Sequence, residues 1–146
     1  IICESAKIKA EVVEEDEKET KGVRTILNFG HTIGHAIETA SGYSEKFTHG
    51  EVISFGMICA TEIALKLGLC SKKTLSRLES LLSRVGLPLN MQGLSVDKIM
   101  KACIHDKKFI SGKNRLVLPI KIGRVKVYED LDESIISAVL KERLKQ

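Results

Sequence analysis

The chain has 146 residues, 43% of them hydrophobic, 29% charged and 4% aromatic, with a formal net charge of +4. That size and balance suit a single globular domain with a real core, and few aromatics with dispersed charge exclude a stacking-plus-phosphate surface for nucleic acid. No apolar run reaches the roughly 20 residues of a membrane span and no signal-peptide pattern opens the chain, so the sequence reads as cytoplasmic, without a membrane partner.

Ile1, Ile2, Ser5, Ile8, Val12 and Val13 recur at three- and four-residue steps, which predicts a first helix ending where the acidic run Glu14 to Glu19 begins. A charge run of this kind is read as a solvated face. The chain opens without methionine inside this helical pattern, as a piece of something longer would. Thr20-Lys21-Gly22 forms a connection, and a second helix is expected from about Val23 to Ala40, closed by Ser41-Gly42.

A polar loop from Tyr43 to Thr48 leads into a long apolar helix that starts at or just after His49 and runs to Gly68. Gly56, Ala60 and Ala64 repeat every four positions along it, so a neighbouring helix can pack closely there. Ser71 is a suitable N-cap for a further helix reaching Val85, with Leu75, Leu78, Leu81 and Leu82 expected in the core. Ser95 caps another helix to about His105, before the basic stretch around Lys107. Arg115 to Pro119 and Arg124 to Tyr128, joined by a glycine-containing turn, predict a hairpin in which Pro119 confines its strand to an edge or an end. A terminal helix follows from about Asp132 to Leu144, with Ile135, Ile136, Val139, Leu140 and Leu144 on one face. The fold class is therefore mainly α with a small β-hairpin near the C-terminus, as one domain over residues 1–146.

Cys3, Cys59, Cys70 and Cys103 are widely spaced and form no Cys-x-x-Cys, which fits neither a zinc ribbon nor a disulfide framework. They are read as reduced, mostly buried small hydrophobes.

Three of the four histidines fall between His31 and His49. His31 and His35 stand four apart, on one face of a helix, and His49 can return to them if the chain reverses. Neutral imidazole is the commonest metal ligand, and the apolar neighbours Leu27, Phe29, Ile33 and Ile37 point these rings into protein or a cleft where they need partners. A satisfied core pair is the plainer alternative. Gly30 and Gly34, each just before a histidine, cost about 1 kcal/mol in a helix interior and so imply close approach of a ligand or of another helix. The lack of glutamate after His31 excludes the His-Glu-x-x-His hydrolase pattern. Glu38 and Glu51 are either partners that orient imidazoles or ordinary helix carboxylates.

The combination of Lys9-Ala10-Glu11-Val12-Val13, Asp16-Glu17, Glu19, Arg24-x-x-Leu27-Asn28-Phe29-Gly30-His31-Thr32-x-Gly34-His35-Ala36-x-Glu38 and His49-Gly50-Glu51 resembles the 3-dehydroquinate synthase family. The resemblance continues through Gly86-Leu87-Pro88, Asp106-Lys107-Lys108 and Arg115 to Pro119, in the order of that family's C-terminal helical domain. It implies a zinc- and NAD-dependent phosphate lyase of the shikimate pathway, converting 3-deoxy-arabino-heptulosonate 7-phosphate to 3-dehydroquinate and phosphate. It further implies that His31 and His49 are metal ligands, for zinc or cobalt, with a third from a glutamate N-terminal to Ile1. His35 then serves as an acid/base or phosphate-side hydrogen-bonding group, the rival arrangement placing both His31 and His35 on the metal.

On the same resemblance Lys9, Arg24 and Asn28 contact substrate, Glu19 is the acidic proton acceptor, and at least one of Lys107 and Lys108 meets the substrate carboxylate. The connection Thr20-Lys21-Gly22 is one residue longer than the family's usual one, which leaves Glu17 beside Glu19 for the acidic position. NAD is expected mainly on an N-terminal α/β domain absent from this chain. The fragment alone is then expected to be inactive, and the parent to be a homodimer. A related sugar-phosphate cyclase of the 2-deoxy-scyllo-inosose synthase kind, or a non-catalytic helical metal-binding module, are the alternatives; Arg24, Asn28 and the lysine pair favour a substrate bearing a carboxylate.

Overall fold

The computed structural model describes residues 2–18, 22–43, 46–105 and 114–144. Their elements are α1 (Ile2–Glu15), a 3-10 helix (Val23–Asn28), α2 (His31–Ala40), α3 (His49–Lys66), α4 (Lys72–Arg84), α5 (Val96–His105), β1 (Arg115–Lys121), β2 (Arg124–Glu129) and α6 (Glu133–Arg143). Helix dominates and the hairpin lies near the C-terminus, as the periodicity predicts.

α3 is apolar nearly all round, which a helix tolerates only at the centre of a fold. Phe55, Ile58 and Ile63 are fully buried there, with α2, α4, α6 and β1 packed about them and α5 lying against α2. Leu116 and Leu118 of β1 and Val139 and Leu140 of α6 complete the core. β1 and β2 pair antiparallel, with Arg115 opposite Glu129 and Pro119 opposite Val125, and the register slips between Pro119 and Lys121. A two-stranded sheet consists of edges, so the missing N–H of Pro119 is accommodated.

Polar side chains tie the layers together. Thr32 Oγ1 donates to the Arg115 carbonyl at 3.2 Å, joining α2 to β1. Buried Asn114 donates to the Leu131 carbonyl at 2.6 Å and accepts the Leu131 N–H at 2.8 Å, closing the hairpin onto the start of α6. Arg143 on α6 reaches Glu62 of α3 at 2.5 Å and Glu79 of α4 at 2.7 Å. Burial opposes its charge, but the two carboxylates more than offset this and hold the guanidinium above its ordinary pKa.

Four expectations are corrected. The helix expected over 23–40 is two helices, because Phe29 turns extended at ψ 122° and Gly30 adopts a left-handed φ of 83°. Only glycine takes that backbone conformation without steric cost, so the break is built in at Gly30. The acidic run is not wholly solvated: Asp16 is 2% exposed, its carboxylate accepting the Val23 N–H at 2.9 Å. Leu81 lies on the outer side of α4 and is exposed, whereas Leu82 is buried. Of the cysteines, Cys59 and Cys103 are buried but Cys3 is exposed on α1, a helix with no buried residue. Among the described residues, no helix is long and apolar enough to cross a membrane.

Candidate metal centre

His31 is the first residue of α2 and His49 the first of α3. Gly30 starts α2 with its carbonyl accepting the Gly34 N–H at 3.0 Å. A Cβ on Gly30 would lie 2.7 Å from the Ile53 carbonyl oxygen, one on Gly34 3.1 Å from that of Val52, and one on Gly56 would overlap the Gly30 carbonyl. These glycines therefore let the backbones of α2 and α3 touch, and of the two readings of Gly30 and Gly34 it is helix packing that the structure bears out.

The start of α3 is fixed by a capping box. The Glu51 carboxylate accepts the Thr48 N–H at 2.7 Å and its hydroxyl at 2.8 Å, while the Glu51 N–H donates to Thr48 Oγ1 at 3.4 Å. Donation from the Thr48 N–H and then from its hydroxyl holds the Glu51 carboxyl below its ordinary pKa. Glu51 is thus a helix carboxylate. Glu38 differs: its Oε1 lies 2.8 Å from His49 Nδ1.

His31, His35 and His49 converge, each offering a nitrogen within 4.8 Å of the others'. Ring centroids are 5.3 Å apart for His31 and His35, 5.8 Å for His31 and His49, and 5.9 Å for His35 and His49. Tetrahedral zinc with imidazole at about 2.0–2.1 Å needs nitrogens roughly 3.4 Å apart, so small ring rotations would close the set on an ion. His31 Nδ1 lies 3.2 Å from the Phe29 carbonyl and His49 Nδ1 faces the Glu38 carboxylate. A carbonyl or carboxylate can only accept, which places a proton on Nδ1 of both rings; in a neutral imidazole Nε2 is then the electron-pair donor. The donor set fits a metal ion. His35 shares the cluster, so the geometry also admits it as a metal nitrogen.

The other sequence-predicted residues are placed less uniformly. Arg24 and Asn28 are half-buried on the 3-10 helix that leads into Gly30 and His31, with Arg24 Nη1 donating to the Glu17 carbonyl at 3.4 Å. Asn28 borders a small cavity with Gly30, Thr32 and Gly56. Lys9 is exposed on α1. Glu19, Lys107 and Lys108 lie outside the described residues. Asp16, which anchors the start of the Arg24-bearing helix, is a residue that sequence reasoning passed over as part of a charge run; a lone carboxylate reaching seven residues ahead leaves no periodic signal.

Fold and cluster together define a class: a helical domain that presents converging imidazole nitrogens from the starts of two packed helices. The C-terminal domain of 3-dehydroquinate synthase matches residues 1–109. The 3-dehydroquinate synthases of Desulforamulus reducens and Dictyoglomus turgidum are 47% and 46% identical, over 93% and 97% of this chain. The chain spans 38% and 39% of their lengths. Among solved structures, 2-deoxy-scyllo-inosose synthase complexed with carbaglucose-6-phosphate, NAD+ and Co2+ superposes with a TM-score of 0.78 at 31% identity, over 93% of this chain and 39% of that one. The 2-epi-5-epi-valiolone synthase of Streptomyces hygroscopicus subsp. jinggangensis, with NAD+ and Zn2+ bound, shares the fold at a TM-score of 0.75 and 22% identity, over 90% of this chain and 36% of that one. This chain belongs to the 3-dehydroquinate synthase family and corresponds to its C-terminal domain.

Proposed function

We propose that the chain is the metal- and substrate-binding part of an enzyme that converts 3-deoxy-arabino-heptulosonate 7-phosphate to 3-dehydroquinate and phosphate. The observation that carries this is the convergence of His31, His35 and His49 within 4.8 Å in a chain 47% identical to a 3-dehydroquinate synthase. The two histidines with Nδ1 held by oxygen acceptors, His31 and His49, are the metal ligands, and zinc or cobalt is the ion, in keeping with the Co2+ in the 31%-identical cyclase. A carboxylate from the part of the longer protein outside this chain completes the set, and NAD binds mainly there.

When bound, the metal would polarise a substrate oxygen while NAD carries a hydride. The chain's own residues do the rest. His35, one turn from His31, holds or passes a proton on the phosphate side of the substrate. Arg24 and Lys9 offer cationic donors to its phosphate and carboxylate oxygens, and the Asn28 amide bonds a hydroxyl. Glu19 accepts a proton, and Lys107 or Lys108 meets the carboxylate.

The test is phosphate release from 3-deoxy-arabino-heptulosonate 7-phosphate by the full-length protein with NAD and zinc, native against His49→Ala. Turnover in the native protein, lost with the substitution, is expected. No turnover in the native protein would replace this reading with a sibling cyclase or a non-catalytic metal-binding module.

A further inference from the structure

We propose that Glu38 is a positioning residue for the metal centre, fixing His49 in the tautomer and ring orientation that aim Nε2 at the ion. The inference rests on the reading of the cluster as a metal site and concerns a residue outside the ligand set.

Glu38 sits seven residues after His31 and three after His35, so all three lie along one stripe of α2, the stripe that meets the start of α3. From there its Oε1 accepts the His49 Nδ1 proton at 2.8 Å. The side chains differ in how they are held: Glu38 is 21% exposed and His49 60%. Packing therefore fixes the carboxylate but not the imidazole. An exposed ring rotates about two side-chain torsions and samples both tautomers; one strong acceptor at Nδ1 removes that freedom. His31 has a backbone acceptor, the Phe29 carbonyl, 3.2 Å from its Nδ1. The two proposed ligands are thus oriented by different means, His31 by backbone and His49 by Glu38. Glu51, which the sequence offers for the same task, is engaged by Thr48 instead.

The experiment is zinc affinity of the full-length protein, measured by competition with a chromophoric chelator, for the native chain, Glu38→Ala, Glu38→Gln and His31→Ala, with folding checked by circular dichroism. Glu38→Ala is expected to weaken zinc binding about 10–100-fold. Glu38→Gln keeps an oxygen that accepts the Nδ1 proton and is expected to stay within about fivefold of native. A Glu38→Ala affinity within twofold of native, or a Glu38→Gln loss as large as that of alanine, overturns the proposal. Should His31→Ala lose zinc while Glu38→Ala does not, the metal reading stands and Glu38 falls; should the native protein bind no zinc, both fall. If Glu38→Ala does not fold, Glu38→Asp, whose carboxylate is one methylene short of the 2.8 Å contact, takes its place and is expected to lose affinity like alanine, native-like affinity again overturning the proposal.

Discussion

The histidine-bearing pair α2 and α3 is held by its own packing, whereas α1 and the 3-10 helix, which carry Lys9, Arg24 and Asn28, contribute no buried residue. In the first region the imidazoles are constrained by backbone contact at Gly30, Gly34 and Gly56, a capping box at Thr48, and a hydrogen bond to Nδ1 of His31 and of His49. In the second, Ile8 and Val12 of α1 face Ile26 and Phe29 across an open cleft of about 410 Å³ that Ile122 and Val125 of the hairpin also line. The convergence of the three imidazoles is therefore set by the packing of α2 on α3. Lys9 and Arg24 stand on a lightly packed layer, pinned by such contacts as the Asp16 bond to Val23.

The contrast is broken most severely at Gly56. Its added Cβ would overlap the Gly30 carbonyl, a backbone atom that cannot rotate away, so α2 and α3 must separate. Gly56→Ala is expected to cost about 3 kcal/mol in urea unfolding and to weaken zinc binding with it, since Gly30 directly precedes His31. Stability and affinity both unchanged would mean that helix contact does not set the cluster. The converse is expected of Lys9→Ala and Arg24→Ala in the full-length protein. Their side chains are exposed or half-buried, so stability should stay within about 0.5 kcal/mol and zinc affinity should hold. The Michaelis constant for the sugar phosphate should rise about tenfold or more, the worth of a charge-assisted hydrogen bond. A melting-temperature loss matching that of Gly56→Ala would show that α1 and the 3-10 helix are structural after all.

The sequence carries the elements more legibly than the contacts between them, for physical reasons. Helical periodicity, the Ser71 and Ser95 caps, the glycine-turned hairpin and the four-residue step from His31 to His35 are local signals, and each appears where expected. The return of His49 to the pair follows from the reversal between α2 and α3. What local signals do not encode is a break inside an otherwise helical pattern: Gly30 is as compatible with a packed helix interior as with a left-handed N-cap, and only the approach of Ile53 and Met57 distinguishes them. Nor do they separate Glu38 from Glu51. Both are helix carboxylates near a histidine in sequence, but Glu51 points to its own N-cap while Glu38 reaches across to the next helix.

At the cap that presents His49, acid should produce a small loss of stability. Donation from the Thr48 backbone N–H, and then from its hydroxyl, holds the Glu51 carboxyl below its ordinary value of 4.5, slight desolvation opposing. A folded-state value below the unfolded one means that the folded state favours the carboxylate, so the stabilisation is fully present above the unfolded pKa and is lost as pH falls through the folded one. The native protein should accordingly melt above Glu51→Gln at neutral pH, with the gap closing below about pH 4.5. Asp132, the N-cap of α6, is lowered in the same direction by its bonds to Ser134, so acid weakens both helix starts. Because Glu51→Gln retains Asp132, subtracting the two melting curves isolates the cap of α3. A gap that stays constant across this pH range would mean that the carboxylate's charge contributes nothing and that the hydrogen-bonded shape of the box alone holds His49 in place.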